Sequence, residues 1–190
     1  MILPIVLYGD PILKKKSAVI EPEHEGLKEL IDNMFETMYS ADGVGLAAPQ
    51  VGEALALFVV DSSPFADEYP EAKNFKKVFI NPEIISEEGE PWLFNEGCLS
   101  FPALREDVLR IPIVKIKYQD ENFKWYEDTF DGINARVIQH EYDHLKGVVF
   151  VDRISFLKKT MVKKKLQAIS EGNVKASYKV KVYIPKKRKH

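Results

Sequence analysis

The chain has 190 residues, of which 45% are hydrophobic and 29% are charged, values that fit one soluble globular domain with a sizeable core. Its apolar runs are short and its first residues lack a basic leader, so the sequence excludes a membrane span and predicts a cytoplasmic protein without a signal peptide. The net charge of −2 hides an asymmetry, because residues 151–190 contain 13 Lys and Arg but only two acidic residues, a net of +11 that leaves −13 for the rest.

The first predicted element is a helix within the stretch that follows Glu23, and it ends before Gly43. Apolar residues recur along it at three- and four-residue intervals, which places Leu27, Leu30, Ile31, Met34, Phe35 and Met38 on one face. Four strand-like runs follow, at residues 54–61, 77–85, 110–120 and 124–130. The last two flank the sequence Asp-Glu-Asn, which predicts a hairpin.

The remaining predicted elements are mostly helical. A second helix is expected from about Asn134 to Lys146, closed by Gly147, and a short strand at residues 148–154. A third helix would be capped by Ser155 and run to about Ser170, ending near Gly172. Its apolar contacts would come from Leu157, Met161, Val162, Leu166 and Ile169, with Lys158, Lys159, Lys163, Lys164 and Lys165 on its exposed side. This order predicts an α+β fold with antiparallel or mixed sheets, in one domain of residues 1–170 with a basic tail of residues 171–190.

The sequence Gln-His-Glu-Tyr-Asp-His, residues 139–144, lies in the second predicted helix. Residues four apart share a helix face, so His140 and His144 can direct two imidazoles at one metal ion. Glu141 is rotated by about 100° and would reach a water on that ion, which is the H-E-x-x-H arrangement of two ligands and a general base. The alternative is a polar helix surface with two solvated histidines. Only four histidines occur in the chain, and apolar residues flank the motif, which favours the metal site.

A third metal ligand is expected upstream of the two histidines. Catalytic sites commonly use three protein ligands, and beyond His144 the only His is His190 and the only Glu is Glu171. Cys98, the only cysteine, lies in the polar, turn-prone sequence Asn-Glu-Gly-Cys-Leu-Ser. A lone cysteine is most often a small buried hydrophobe. A thiolate with two imidazoles nevertheless suits zinc or ferrous iron, so ligation is the favoured interpretation.

Residues 43–50, with the sequence GVGLAAPQ, form the third motif. They match G-x-G-x-x-A but follow a helix rather than a strand, and Pro49 discourages a helix from opening there, so a dinucleotide loop is disfavoured. Two interpretations stay open. The segment is either a helix-to-strand connection or a glycine-rich stretch whose backbone approaches a substrate, with the Gln50 amide beside it.

Taken together, the motifs GVGLAAPQ, EGCLS and QHEYDH and the opening ILPIVLYGDPILKKKS resemble those of the peptide deformylases, over roughly residues 2–160. The resemblance implies an α+β fold with the HExxH motif on a central helix. It implies a metal-dependent hydrolase that removes the formyl group from N-formylmethionine on nascent chains and releases formate. It also implies Fe²⁺ as the usual ion, with Zn²⁺, Ni²⁺ or Co²⁺ as possible occupants. Phe101 replaces the commoner aliphatic residue, which predicts a change of pocket shape rather than of chemistry.

The resemblance also assigns roles to residues. It makes Cys98, His140 and His144 the metal ligands and Glu141 the general acid/base. Gln50 and the backbone N–H of Leu99 would bind the formyl oxygen, and Gly45 would pair with the substrate backbone. The methionine pocket would be shaped by Val44, Phe94, Ile133, Arg136 and Val137, with Arg105 near the outer substrate path.

Two other functions stay open at this point. One is a peptidase with the same H-E-x-x-H chemistry, against which the cysteine ligand argues. The other is a non-catalytic, metal-stabilised RNA- or ribosome-binding module, which the basic end suggests and Glu141 argues against. For a deformylase, the same basic end, including PKKRKH at residues 185–190, predicts contact with ribosomal RNA. The alternative is a solvated helix and tail with no partner.

Overall fold

The structure is a computed structural model that describes residues 1–185, so the predicted basic stretch at residues 185–190 lies outside the described residues apart from Pro185. The α-helices of the described part are α1 (Leu27–Ser40), α2 (Gly132–Leu145), α3 (Phe156–Met161) and α4 (Lys163–Ser170). The β-strands are β1 (Ile5–Val6), β2 (Gly45–Ala47), β3 (Leu57–Asp61), β4 (Lys76–Glu88), β5 (Trp92–Gly97), β6 (Arg105–Arg110), β7 (Ile113–Gln119), β8 (Trp125–Phe130) and β9 (Val180–Lys181).

The strands form one large and two small sheets. The large sheet has the order β2-β3-β4-β7-β8 and is antiparallel throughout. Strands β5 and β6 form a separate antiparallel pair, whereas β1 and β9 pair in parallel. The predicted hairpin is confirmed, since Gln119 pairs with Trp125 across a turn that begins at Asp120. The α+β class with antiparallel and mixed sheets is also confirmed.

Helix α2 is the central helix of this fold. Ala135, Ile138 and Leu145 pack with the sheet residues Phe58 and Phe79 in one apolar cluster. The helix also contacts β2, so both of its sides are covered and 12 of its 14 residues are buried. Polar residues on such a helix need partners or a function, because burying an unpaired polar group is costly.

Helix α2 is fixed at its start by side-chain hydrogen bonds and at its end by a glycine in the left-handed conformation. At the start, the Glu71 carboxylate accepts a hydrogen bond from Ile133 N at 3.1 Å, and Asn134 Nδ2 donates to Glu71 O at 2.7 Å. These bonds satisfy groups that have no partner within the helix. At the other end, Gly147 has φ +73° and ends the helix, as the sequence predicted.

Two predictions for residues 148–170 are wrong. The expected strand at 148–154 is instead a 3₁₀ helix, Phe150–Asp152, because the Asp152 carboxylate accepts from Val149 N at 3.1 Å and closes a turn. The expected third helix is capped by Ser155 but breaks at Val162, which ends α3 and precedes α4. The break changes which side faces the body. Val162, Leu166 and Ile169 are buried, whereas Leu157 and Met161 are 70% and 74% exposed.

Strands β1, β2, β5, β6 and β9 were not predicted. Three of them have only two or three residues, too few for an alternating pattern to be recognised. The division into residues 1–170 and a tail of 171–190 stays a prediction, and the described part of that tail contains β9, which pairs with β1. Among the residues that the structure describes, no helix is both long and apolar enough to cross a membrane.

Candidate active site

Two parts of the chain, helix α2 and the turn after β5, meet near the C-terminal end of α2. The helix supplies His140, Glu141 and His144, and the turn after β5 supplies Cys98. The candidate ligand atoms of Cys98, His140 and His144 lie within 4.8 Å of one another, and Cys98 Sγ is 3.4 Å from His144 Nε2. The fold therefore brings the three residues together, although Cys98 and His144 are 46 positions apart in the sequence.

The chemistry of these three side chains fits a divalent transition metal. His140 Nδ1 is 2.9 Å from Glu96 Oε2, so a proton on Nδ1 leaves the Nε2 lone pair free for a metal. Burial holds the pKa of His144 well below its usual value, which keeps this imidazole neutral. Burial alone would lower the pKa of His140. Its hydrogen bonds to Cys98 and Glu96 outweigh burial, so the pKa of His140 lies above its usual value. One thiolate and two imidazoles are suitable donors for zinc or ferrous iron.

A buried network of charged side chains surrounds His140. Glu96, 4% exposed, accepts from Arg110 Nε at 2.7 Å and from Arg136 Nη1 at 2.8 Å, in addition to its bond with His140. Arg110 also donates to Asp143, which pairs with Arg153 at the surface. Burial alone would raise the pKa of Glu96, but the bonds from His140 and Arg110 lower it well below its usual range. Glu96 therefore stays ionised and holds His140 in a fixed orientation.

The carboxyl group of Glu141 is buried and free to act on another group. Glu141 is 4% exposed, and its Oε2 atom has no hydrogen-bond partner among the described residues. Burial raises the pKa of Glu141 to about 7. A carboxyl group with a pKa near neutrality can both accept and return a proton under cellular conditions.

Gly45 makes room for this carboxyl group. A Cβ atom at position 45 would lie 2.8 Å from Glu141 Cγ and Cδ and closer still to Oε1. Real Cβ contacts do not occur at such distances, so β2 can approach α2 only with glycine at this position.

The side-chain amide of Gln50 has a fixed orientation. Its Oε1 atom accepts from Ala47 N at 2.8 Å, which directs the Nε2 atom to the other side. Nε2 lies 3.4 Å from Cys98 Sγ and 3.3 Å from Ser100 Oγ. Because Gln50 is 1% exposed, this N–H donor is held in a water-poor site next to the candidate metal ligands.

A cavity of about 480 Å³ opens over these groups. Most of the predicted site residues line it, namely Val44, Gly45, Gln50, Phe94, Cys98, Leu99, Arg105, Arg136, Val137, His140 and Glu141. His144, which contacts Cys98, does not line it. Ile133 does not line it either, because it is fully buried one turn before Val137, and its place in the methionine pocket stays a prediction.

Several residues of the site were missed by sequence reasoning. Phe65 lines the cavity and contacts Phe94 edge to face, with ring centroids 6.4 Å apart, and Tyr178 lines it from near the C-terminus. Arg110 and Asp143 of the charged network were also missed. Glu96 could have been recognised from the sequence. A metal-binding histidine commonly has a carboxylate partner, and Glu96 lies only two residues before the candidate ligand Cys98.

Comparison with known proteins gives one family. A sequence profile described as polypeptide deformylase matches residues 2–160. A peptide deformylase of Flavobacterium johnsoniae is 55% identical, covering 98% of this chain and 99% of the relative, and one of Christiangramia forsetii is 53% identical, covering 95% and 96%. Among solved structures, a plant peptide deformylase has a TM-score of 0.80 at 37% identity, covering 90% of each chain. One from Legionella pneumophila has 0.79 at 40% identity, covering 91% and 98%.

Proposed function

The chain belongs to the peptide deformylase family, and from this premise we propose which of its residues perform the reaction. The protein is a metal-dependent hydrolase that removes the formyl group from the N-terminal formylmethionine of newly synthesised polypeptides and releases formate. The observation that supports our assignment most strongly is the buried carboxyl group of Glu141, which lies next to a Cys-His-His cluster with no hydrogen-bond partner for Oε2 among the described residues.

We assign Cys98, His140 and His144 as the metal ligands. Their donor atoms lie within 4.8 Å of one another, and Glu96 orients His140 so that one ring nitrogen is free. When bound, a divalent metal supplies Lewis acidity that lowers the pKa of water from 15.7 towards ~7. Fe²⁺ is the ion that we propose for the cell, from the resemblance to the family, and Zn²⁺, Ni²⁺ and Co²⁺ are ions that the same donors accept.

Glu141 is the proposed general acid/base. It takes a proton from the water that attacks the formyl carbon and then gives a proton to the departing amine of methionine. Its buried position supports both steps, because burial raises its pKa towards neutrality and a bound cation would lower it again, which keeps both directions of transfer accessible near neutral pH.

Gln50 and the backbone N–H of Leu99 are the proposed donors to the formyl oxygen. Negative charge grows on this oxygen as water attacks, and fixed donors in a water-poor site stabilise it. The bond from Ala47 N to Gln50 Oε1 supports this role, because it keeps the Gln50 N–H group directed towards Cys98 before substrate arrives. Losing one such donor typically costs ~10²–10³-fold in rate.

The cavity is the proposed substrate site, with Gly45 pairing with the substrate backbone and Val44, Phe94, Ile133, Arg136 and Val137 shaping the methionine pocket. Arg105 is assigned to the outer path. Its Nε donates to Asn95 Oδ1 at 2.9 Å, which fixes the guanidinium over the end of β5. Because a formyl carbon carries only hydrogen, we propose that the site excludes bulkier acyl groups. Comparable turnover of formyl and acetyl peptides would overturn that proposal.

Formate release tests the proposed function and the metal together. Protein purified without air and given a formyl-Met-Ala-Ser peptide should release one formate per peptide consumed, with metal content measured on the same sample. Activity that falls on exposure to air in step with iron loss would support Fe²⁺. Activity that is stable in air and follows zinc content would overturn the choice of iron. Cleavage of the internal peptide bond without formate would indicate a peptidase.

We also propose that the basic C-terminal part of the chain binds ribosomal RNA in the cytoplasm, where the substrate emerges. Lys163, Lys164 and Lys165 on α4 are exposed, whereas Lys158 and Lys159 pair with acidic residues of the body. A run of exposed lysines is a footprint for phosphate-rich RNA. The three lysines of α4 are therefore the first candidates for the contact.

Cosedimentation with ribosomes at low and moderate salt tests this contact. A variant with Lys163, Lys164 and Lys165 changed to Gln should lose binding, and the remaining binding should depend less steeply on salt. The matched control changes the exposed Lys15, Lys16 and Lys28 to Gln, which alters the net charge equally. A chain ending at Pro185 tests the final residues. Equal loss in the two triple variants would indicate a general charge effect rather than a binding surface.

A further inference from the structure

The residues after α4 fold back to the active site. We call residues 173–184 the C-terminal arm. Gly172, with φ +75°, begins the reversal, and a Cβ at this position would lie 2.7 Å from Val182 Cγ2. Within the arm, β9 pairs with β1 through bonds from Ile5 N to Lys179 O at 2.9 Å and from Leu7 N to Lys181 O at 3.0 Å. The arm therefore has a defined place in the fold, although it lies beyond the segment that the family profile matches.

Tyr178 of the arm reaches the turn that carries Cys98 and Leu99. Its hydroxyl donates to the backbone carbonyl of Leu99 at 2.7 Å, and its side chain lines the cavity. The neighbouring carbonyls of this turn are also paired. Cys98 O accepts from Phe101 N at 2.8 Å, and Ser100 O accepts from Tyr8 N at 2.9 Å. Of these three consecutive carbonyls, only that of Leu99 depends on a side chain for its partner.

The hydrogen bond from Tyr178 to Leu99 lies where a small displacement of the backbone would affect the reaction. Leu99 is the residue whose N–H we assign to the formyl oxygen, and its carbonyl fixes the backbone on the other side of the same Cα atom. A donor that stabilises charge has to be held in position before the reaction, because a misplacement of about 1 Å can cost up to ~10²-fold in rate. Tyr178 contacts this donor residue through its carbonyl and is not among the groups assigned above to the reacting atoms.

We propose that Tyr178 is a positioning residue for deformylation, which holds Leu99 through its carbonyl so that the Leu99 N–H faces the formyl oxygen. This inference rests on the donor roles proposed for Leu99 and Gln50. It makes the C-terminal arm part of the active site. A purely structural arm would contribute to folding, whereas the positioning role affects the transition state more than substrate binding.

The test compares Tyr178→Phe with Tyr183→Phe, a matched change at a half-exposed tyrosine of the same arm. Both full-length variants are loaded with the same metal, and kcat, KM, metal content and Tm are measured. Inhibition by a methionyl peptide without the formyl group is measured as well, because that product has no formyl oxygen. Tyr178→Phe should lower kcat about tenfold, less than the ~10²–10³-fold expected for removing a donor itself. Its KM, product inhibition, metal content and Tm should match those of Tyr183→Phe.

Each other outcome has a defined meaning. A kcat for Tyr178→Phe within twofold of Tyr183→Phe, with Gln50→Ala strongly impaired, overturns the inference and leaves the proposed function intact. A loss of metal in Tyr178→Phe also overturns it, because the tyrosine then acts on Cys98 rather than on Leu99. Wild-type protein that releases no formate refutes the proposed function, and the inference falls with it. Tyr178→Leu provides a second variant without the hydroxyl and should show the same fall in kcat.

Discussion

Helix α2 and the helix pair α3–α4 are both rich in polar residues but place them differently. In α2 the buried polar residues are Asn134, Arg136, Gln139, His140, Glu141, Asp143 and His144. In α3 no residue is buried, and even the apolar Phe156, Leu157 and Met161 are exposed. Buried polar groups are costly unless they are paired or used, so the buried and unpaired Oε2 atom of Glu141 on α2 indicates chemistry. On α3, Lys158 and Lys159 pair with acidic residues at the surface of the body, whereas Lys163, Lys164 and Lys165 of α4 are exposed and are the ones proposed to act on a partner.

Removing a candidate metal ligand from the α2 region should have the largest effect. Cys98→Ala and His144→Ala should lose metal and reduce formate release by on the order of 10³-fold or more, because the metal supplies several kcal/mol of transition-state stabilisation. The exposed His24 gives a matched control, and His24→Ala should keep both metal and activity. A Cys98→Ala protein that retains one metal per chain with an unchanged spectrum would mean that the third ligand is another residue.

Crowding Glu141 should have the next largest effect. Gly45→Ala places a Cβ against the Glu141 carboxyl group, so kcat should fall by about 10²-fold with metal retained. Gly43→Ala is a graded comparison, because its Cβ would meet Leu99 Cδ1 at 2.8 Å, the movable end of a side chain. Its loss of kcat should be smaller. Equal losses in the two variants would contradict the specific clash with Glu141.

Neutralising Glu96 should weaken the site through His140. Glu96→Gln should reduce metal affinity by about 10–100-fold, the usual effect of removing the partner of a metal-binding histidine. It should also lower the free energy of unfolding, since Arg136 loses its buried counter-charge and Arg110 keeps only that of Asp143. Glu106, which pairs with Glu96 across β5 and β6, is the control, and Glu106→Gln should change metal affinity little. Metal titration followed by chemical unfolding measures both quantities, and unchanged metal affinity in Glu96→Gln would remove its orienting role.

The smallest effects are expected on α3. Leu157→Ser and Met161→Gln should change the free energy of unfolding by no more than about 0.5 kcal/mol, because both side chains are exposed. Ile169→Ala on α4 should cost about 2–5 kcal/mol, because Ile169 is buried. Chemical unfolding of the three variants measures this contrast. A large loss of unfolding free energy in Leu157→Ser would instead support the continuous amphipathic helix that the sequence predicted.

The parts of the fold that follow a local pattern were predictable. Helix α1 and the β7–β8 hairpin have clear periodicity and turn signals, and both are confirmed. The third helix was predicted as continuous because its apolar residues keep a helical spacing across Val162. The break there depends on how α4 packs its buried residues against the body, which is tertiary information. Strand β9 depends on a partner more than 170 residues away, which no local pattern contains.

Like the fold, the active site has residues that the sequence could indicate and residues that only the folded structure reveals. Motif spacing and family resemblance pointed to Cys98, His140 and Glu141, and the structure brings these residues together. Arg110 and Tyr178 belong to no motif, and each reaches the site from a strand or arm distant in sequence. Their contribution depends on hydrogen bonds at 2.7–2.8 Å that only the folded chain forms. Phe65 could not be predicted for the same reason, because it contacts Phe94 only in the folded protein.

The central claim is that the buried carboxyl group of Glu141 carries protons in deformylation. The most direct measurement is kcat/KM for formate release by wild type and Glu141→Gln, loaded with the same metal to the same occupancy, as a function of pH. The wild type should lose activity as pH falls below a midpoint at or below about 7, because a protonated Glu141 cannot accept a proton and a bound cation lowers its pKa further. Glu141→Gln should bind metal normally and be at least ~10²-fold slower throughout. Near-wild-type turnover by this variant, with the same pH midpoint, would contradict the claim.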